Sequence, residues 1–160
     1  MINVSIIRLR LFLLLGLLLY VATLHAVDKW NSTAIDWLTI QSAFKAAEES
    51  DKKIMLVLHS EGCGACDEYS VLFRDSLVAE ASEDLLMVLM DDGVNEEISE
   101  KYSIDGSYVP RTYFLNSDGS VMDIQVGKEG DRFQYYYGSR GAPLLAEIML
   151  KASGLSLIHI

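Results

Sequence analysis

Two hydrophobic periods alternate along the chain, and the points where one gives way to the other mark its elements. From Trp37 to Glu49 the apolar positions Trp37, Ile40, Phe44 and Ala47 recur three and four apart. That spacing predicts an amphipathic helix, with Thr39 as its candidate N-cap. Ile54 to Leu58 is an unbroken apolar run between Asp51-Lys52-Lys53 and Ser60-Glu61-Gly62. A short run without alternation fits a central strand buried on both faces. Tyr69, Leu72, Phe73, Leu77 and Val78 return to helical spacing, Leu85 to Met90 reads as a second buried strand, and Asn95 to Tyr102 as a short helix. Thr112 to Leu115 and Val121 to Val126, joined through Asn116-Ser117-Asp118-Gly119, predict a β-hairpin. Tyr135-Tyr136-Tyr137 reads as alternating strand packing. Ala142 to Ala152 predicts a closing helix with Leu144, Leu145, Ile148 and Met149 on one face and Gly154 as its stop. The order α, β, α, β, α, β, β, α implies an α/β fold, a mixed central sheet with helices on both faces.

The first residues follow another pattern. Arg8 and Arg10 precede the apolar run Leu11 to Ala22, and charge returns only at Asp28 and Lys29, after the small residue Ala26. Charge, short apolar stretch and small residue is the order of a cleaved signal peptide. The run falls short of the roughly 20 apolar residues a spanning helix needs. Residues 1–26 are therefore read as a signal peptide, with an uncleaved lumen-facing anchor as the alternative. Residues 27–36 form a polar lead-in, 37–154 the folded domain, and 155–160 a tail of open status. Asn31-Ser32-Thr33 matches the N-glycosylation acceptor pattern, in keeping with passage through the secretory pathway.

Composition narrows the function. The net charge is −10 and no basic stripe is present, which argues against nucleic-acid binding. Once residues 1–26 are removed, no membrane attachment is expected. The chain holds two cysteines, Cys63 and Cys66, too few for a disulfide scaffold. They stand directly between the Ile54–Leu58 strand and the next helical stretch. Disulfide exchange needs one thiolate to attack and a second thiol to resolve the mixed disulfide. Cysteines three apart at the start of a helix meet that need, with Cys63 nearest the amide-rich end that favours an anion. Gly64 would let a substrate backbone come close. Two plainer readings compete. A zinc site would have to recruit His59 and His159, and a purely structural disulfide would close so small a loop that it stabilises little.

Strand–Cys63-Gly64-Ala65-Cys66–helix, with Val109-Pro110 leading a later strand, resembles the thioredoxin fold. More closely it resembles the small thioredoxin-domain proteins of the anterior-gradient group, resident in the endoplasmic reticulum. The likeness is carried by Trp37, Met55-Leu56-Val57-Leu58-His59-Ser60, the Cys63–Cys66 motif, and Asp105-Gly106-Ser107-Tyr108-Val109-Pro110-Arg111. Tyr113-Phe114-Leu115 through Asp118-Gly119 and the later tyrosines extend it over roughly Ile35 to Gly154. The resemblance implies a protein thiol–disulfide oxidoreductase of the endoplasmic reticulum lumen, acting on cysteine-bearing secretory clients. It implies no bound cofactor, with glutathione as candidate redox partner. It also implies a cis Val109–Pro110 bond facing the site, where the flanking backbone would pair with an extended substrate. Group members lacking the second cysteine leave a non-catalytic, client-binding adaptor as the competing function.

The pattern departs from the superfamily at several positions. Val57 stands where many members carry a buried acid six residues before the first cysteine, and Gly62 where a tryptophan is common. His59 is then the nearest titratable candidate to take a proton from Cys66, against the plainer reading of a histidine packed at a strand end. Arg111 is a second candidate for tuning Cys66 or contacting substrate, against a surface arginine at a strand start. Asp67 and Glu68 follow Cys66, where a basic residue is common, and Glu61 lies upstream. Carboxylates there oppose a developing thiolate, so Cys63 is expected to be less acidic, and the dithiol a poorer oxidant, than in strong oxidases. The chain ends Leu157-Ile158-His159-Ile160 rather than in a Lys/His-Asp-Glu-Leu-type signal. Residence in the lumen and secretion therefore stand as alternatives, and the residues after Gly154 are read as other than the natural end.

Overall fold

Ile54–His59 forms the central strand, and its neighbours explain the run of apolar residues that encodes it. In the computed structural model, which describes residues 28–126 and 132–155, a four-stranded sheet has the order β1-β3-β2-β4. The strands are β1 (Trp37–Leu38), β2 (Ile54–His59), β3 (Leu86–Asp91) and β4 (Arg111–Leu115). β2 pairs parallel with β3 and antiparallel with β4, so the sheet is mixed. A strand flanked on both sides and covered on both faces has no polar face to offer, and residues 54–58 are all buried.

The helices are α1 (Ile40–Ser50), α2 (Gly64–Ser70), α3 (Ser76–Ser82), α4 (Glu96–Lys101) and α5 (Ala142–Ser153). Period-two alternation along β2 sorts them into two layers. Ile54, Leu56 and Leu58 meet Ile40, Ala43 and Ala47 of α1, with Tyr102, Tyr113 and Leu115. Met55 and Val57 face the other way, onto Tyr69 and Phe73, onto Val78 and Ala81 of α3, and onto Leu145, Met149 and Ala152 of α5. At about 1.5–3 kcal/mol for each large apolar side chain buried, these two clusters supply the main favourable term. α5 ends as its sequence predicts. Gly154 takes a left-handed conformation (φ 85°) and donates its N–H to Leu150 and Lys151 carbonyls.

Four local expectations are corrected. Trp37 belongs to β1, paired with Met87, and the helix starts one residue beyond Thr39, whose hydroxyl accepts from Ser42 N–H at 3.2 Å. The helical stretch after Cys66 is broken: a 3₁₀ turn over Val71–Arg74 leads to extended Asp75, whose carboxylate caps α3 through Leu77 N–H at 3.0 Å. The hairpin shrinks to one bridge between Leu115 and Val121, made by Met122 N–H to Phe114 O and Asn116 N–H to Ser120 O. The chain turns away there, and Tyr135 O takes the Thr112 N–H of β4 instead. Tyr135-Tyr136-Tyr137 therefore lies outside any strand, with Tyr135 and Tyr137 buried and Tyr136 only half-buried.

The lead-in is part of the packed domain. Ile35 is 1% exposed, and Trp30 packs against Tyr69 and Phe73 with ring centroids 6.2 and 5.4 Å away. Trp37 Nε1–H donates to Trp30 O at 2.8 Å. Asn31 (φ 57°) donates its side-chain amide to Phe73 O at 2.8 Å and accepts from Thr33 Oγ1 at 3.2 Å. The expected signal peptide and residues 156–160 lie outside the described residues. Among the described residues no helix is long and apolar enough to cross a membrane.

Candidate functional site

Strand β2 delivers the chain to the site, and one glycine makes the turn. After His59 the chain passes through Ser60 and Glu61 to Gly62, whose φ of 71° is left-handed and suits a residue without a Cβ. Cys63 follows in extended geometry as the N-cap of α2, and its sulfur accepts from Cys66 N–H at 3.1 Å. That N–H is shared with Cys63 O, 3.0 Å away, and it also points at the sulfur that would carry charge as a thiolate.

Cys63 and Cys66 form a disulfide with Cα atoms 5.2 Å apart. Their environments differ. Cys66 is 2% exposed, whereas Cys63 is only partly buried. Gly64, beside it, has no atom within 4 Å of where a Cβ would stand, so the approach to Cys63 is open. Val109 O lies 3.8 Å from Cys63 Sγ, and the Val109–Pro110 peptide bond is cis. The structure thus brings together Cys63, Cys66, Val109 and Pro110. Among the described residues no group of three or more His, Cys, Asp or Glu side chains is arranged to hold a metal ion, and His159 lies outside them.

A cleft opens behind the disulfide, bordered by Cys66, His59, Trp30, Lys29, Glu61 and Asp67. His59 is half-buried at the end of β2, in register with Asp91 of β3 and with the Trp30 ring 5.3 Å away. Burial lowers its pKa below 6.5, opposed by Asp91, a backbone hydrogen bond at Ser60, and Glu61. Tyr69 lies deeper, its hydroxyl 3.0 Å from Thr112 Oγ1, and burial drives its phenol well above the ordinary range.

Arg111 does not join this site. It is fully buried on the opposite face of the sheet, the side of β4 that carries Tyr113 and Leu115, while Thr112 faces Tyr69. Its Nη2 donates to Asp92 Oδ1 at 2.6 Å and to Ser99 Oγ and O, its Nη1 to Tyr108 O, and its Nε to Tyr102 O. Ser99 Oγ closes the network onto Asp92. Both sequence readings of Arg111 are corrected: it is neither a thiol-tuning group nor a surface arginine, but a buried tie between β4, α4 and the loop after β3.

Sequence reasoning missed Lys29, Trp30 and the Tyr69–Thr112 pair. The one available signal was Trp30, a large aromatic in an otherwise polar stretch. Asn31, read as a glycan acceptor, also has a packing role through Phe73 O.

Comparison with known proteins agrees with this geometry. Residues 36–117 match the Thioredoxin-like family model, described as thioredoxin-like. Anterior gradient protein 3 of Xenopus tropicalis is 31% identical over 121 residues, spanning 74% of this chain and 71% of its own. Anterior gradient protein 1 of Xenopus laevis is 29% identical over 136 residues, spanning 81% and 70%. The disulphide isomerase from Xylella fastidiosa Temecula1 shares the fold, with a TM-score of 0.53 at 21% identity over 79% of this chain and 92% of its own. The chain belongs to the thioredoxin-like family and has the anterior gradient proteins among its relatives.

Proposed function

We propose that this protein is a thiol–disulfide oxidoreductase that exchanges disulfides with cysteine-bearing client proteins through Cys63 and Cys66. The observation that carries the reading is the asymmetry of one disulfide at a helix tip. Cys63 is partly exposed and receives an amide N–H, while Cys66 is buried one turn behind it. In the reducing direction, Cys63 thiolate attacks a client disulfide and one client sulfur leaves as a thiolate. Cys66 thiolate then attacks Cys63 Sγ, the mixed disulfide breaks, and the second client sulfur leaves with its electron pair. The Cys63–Cys66 disulfide of the structure is the end state of that sequence.

Val109 and Pro110 supply the client-docking edge in this reading. Backbone beside Cys63 Sγ suits an extended peptide, because main-chain pairing there holds a client sulfur next to the attacking one without regard to sequence. We place the protein in the lumen of the endoplasmic reticulum, with secretion as the alternative and glutathione as the small-molecule couple. The leader-like N-terminus and the kinship with anterior gradient proteins support that placement.

The test is a Cys66→Ala trap in secretory cells. Covalent client complexes that reduction releases, and that Cys63→Ala abolishes, are expected. A reduced sample that exchanges with neither glutathione nor a peptide disulfide would refute the assignment.

A further inference from the structure

The resolving step requires the proton on Cys66 to go somewhere. Cys66 is 2% exposed, and burial in apolar surroundings disfavours a thiolate. Val57, on the face of β2 packed with Tyr69 and Phe73, is fully buried and carries no proton acceptor. Any acceptor must therefore come from the cleft that Cys66 borders.

The lining groups reduce to one. Lys29 is a cation, and its ammonium is held 2.8 Å from Asp67 Oδ1. Asp67 is thereby occupied as a carboxylate, and Glu61 is exposed at the rim. Tyr69 is bonded to Thr112 and holds its own proton. His59 remains, and its ring is roofed by Trp30. The charged groups around it are Asp91 on β3, Glu61 on the connecting loop, Lys29 on the lead-in and Asp67 on α2. Desolvation outweighs the nearby acids and keeps the imidazole neutral, the form that accepts a proton.

We propose that His59 is the proton acceptor for Cys66 when the mixed disulfide is resolved. This rests on the exchange function proposed above. The Cys66 S–H proton crosses the cleft to an imidazole nitrogen, and the sulfur lone pair attacks Cys63 Sγ. The Cys63–client S–S bond breaks, its electron pair leaves on the client sulfur, and the imidazolium returns the proton to that thiolate.

The experiment uses the reduced full chain and a symmetrical aromatic disulfide that releases a coloured thiolate. A first burst reports attack by Cys63, and a second reports resolution by Cys66. Because the aromatic thiolate leaves without a proton, the second phase isolates deprotonation of Cys66. In His59→Gln and His59→Ala the first burst is expected to persist, while the second slows at neutral pH by about 10-fold or more. The gap should close at alkaline pH, and free imidazole should restore His59→Ala. An unchanged second phase with an unchanged pH profile overturns the proposal. In the wild-type chain, NMR titration of His59 should shift between the oxidised and reduced forms, and identical titrations also overturn it. Absence of any first burst in wild type refutes the exchange function instead.

Discussion

Lys29 sets its ammonium 2.8 Å from the Asp67 carboxylate, across 38 residues of chain and immediately beside the buried cysteine. Asp67 was expected from sequence to oppose a thiolate at the site. The ion pair offsets part of that opposition, because a carboxylate with a cation against it projects a weaker field. Lys29→Ala should therefore raise the Cys63 thiol pKa and slow its alkylation at neutral pH about two- to three-fold, an effect that 1 M salt should largely erase. Both side chains are more than half exposed, so chemical denaturation should show little stability change, about 0–1 kcal/mol. Equal alkylation rates in wild type and Lys29→Ala at low salt would contradict this account.

Asp92 carries the charge that makes the burial of Arg111 tolerable. Asp92→Ala would leave a fully buried guanidinium with only neutral acceptors from Ser99, Tyr102 and Tyr108. Removing one member of a buried pair costs about 3–5 kcal/mol. Asp92 itself is 24% exposed, so the lower end of that range is expected in urea unfolding. Arg111→Met, which removes the charge along with its need for a partner, should cost less than Asp92→Ala. The reverse order would show that the network contributes more than charge compensation.

Tyr69→Phe removes the partner of Thr112 Oγ1 in the core between α2 and β4. A hydroxyl left unpaired there costs about 1–3 kcal/mol. Thr112→Val in the same chain removes the stranded group, so the double variant should recover part of the loss. If the two single losses simply add in thermal melts, the hydroxyls do not act as a pair.

His59 links stability to pH with a definite sign. Its pKa in the folded chain lies below 6.5 because burial disfavours the imidazolium. Between the two values the unfolded chain binds the proton and the folded chain does not. Stability is thus full above the unfolded value and declines as pH falls toward the folded one. His59→Gln, which does not titrate, should flatten that part of the profile. Unfolding midpoints followed from pH 7.5 down to 5 measure it, and parallel curves for the two proteins would remove His59 as the source.

How much of this was legible in the chain depended on the range of the interaction. Ile54–Leu58 and the α5 region were readable because burial on both faces, and a 3.6-residue stripe ended by Gly154, leave one-dimensional signatures. Trp37 was misread because its spacing to Ile40 and Phe44 suits a helix, while its actual partner, Met87, is fifty residues away. The Val121–Val126 strand failed because the Tyr135 carbonyl captures the Thr112 N–H of β4. The two sulfurs were plain from their spacing and context. Arg111 was not, since its counter-ion lies 19 residues upstream and nothing local distinguishes a buried arginine from a surface one. The lead-in looked polar on average, and an average conceals a single anchoring tryptophan.

Trp30 borders the same hollow as Cys66 and rests on His59, Tyr69 and Phe73. Excited indoles lose energy readily to a nearby sulfur–sulfur bond and to a charged imidazole. The molecule therefore carries its own optical gauge: Trp30 emission should brighten when the bridge opens and dim as His59 acquires charge. Trp37, which pairs in β1 and points its ring at Trp30 and Phe73, supplies a second emission against which the change can be read.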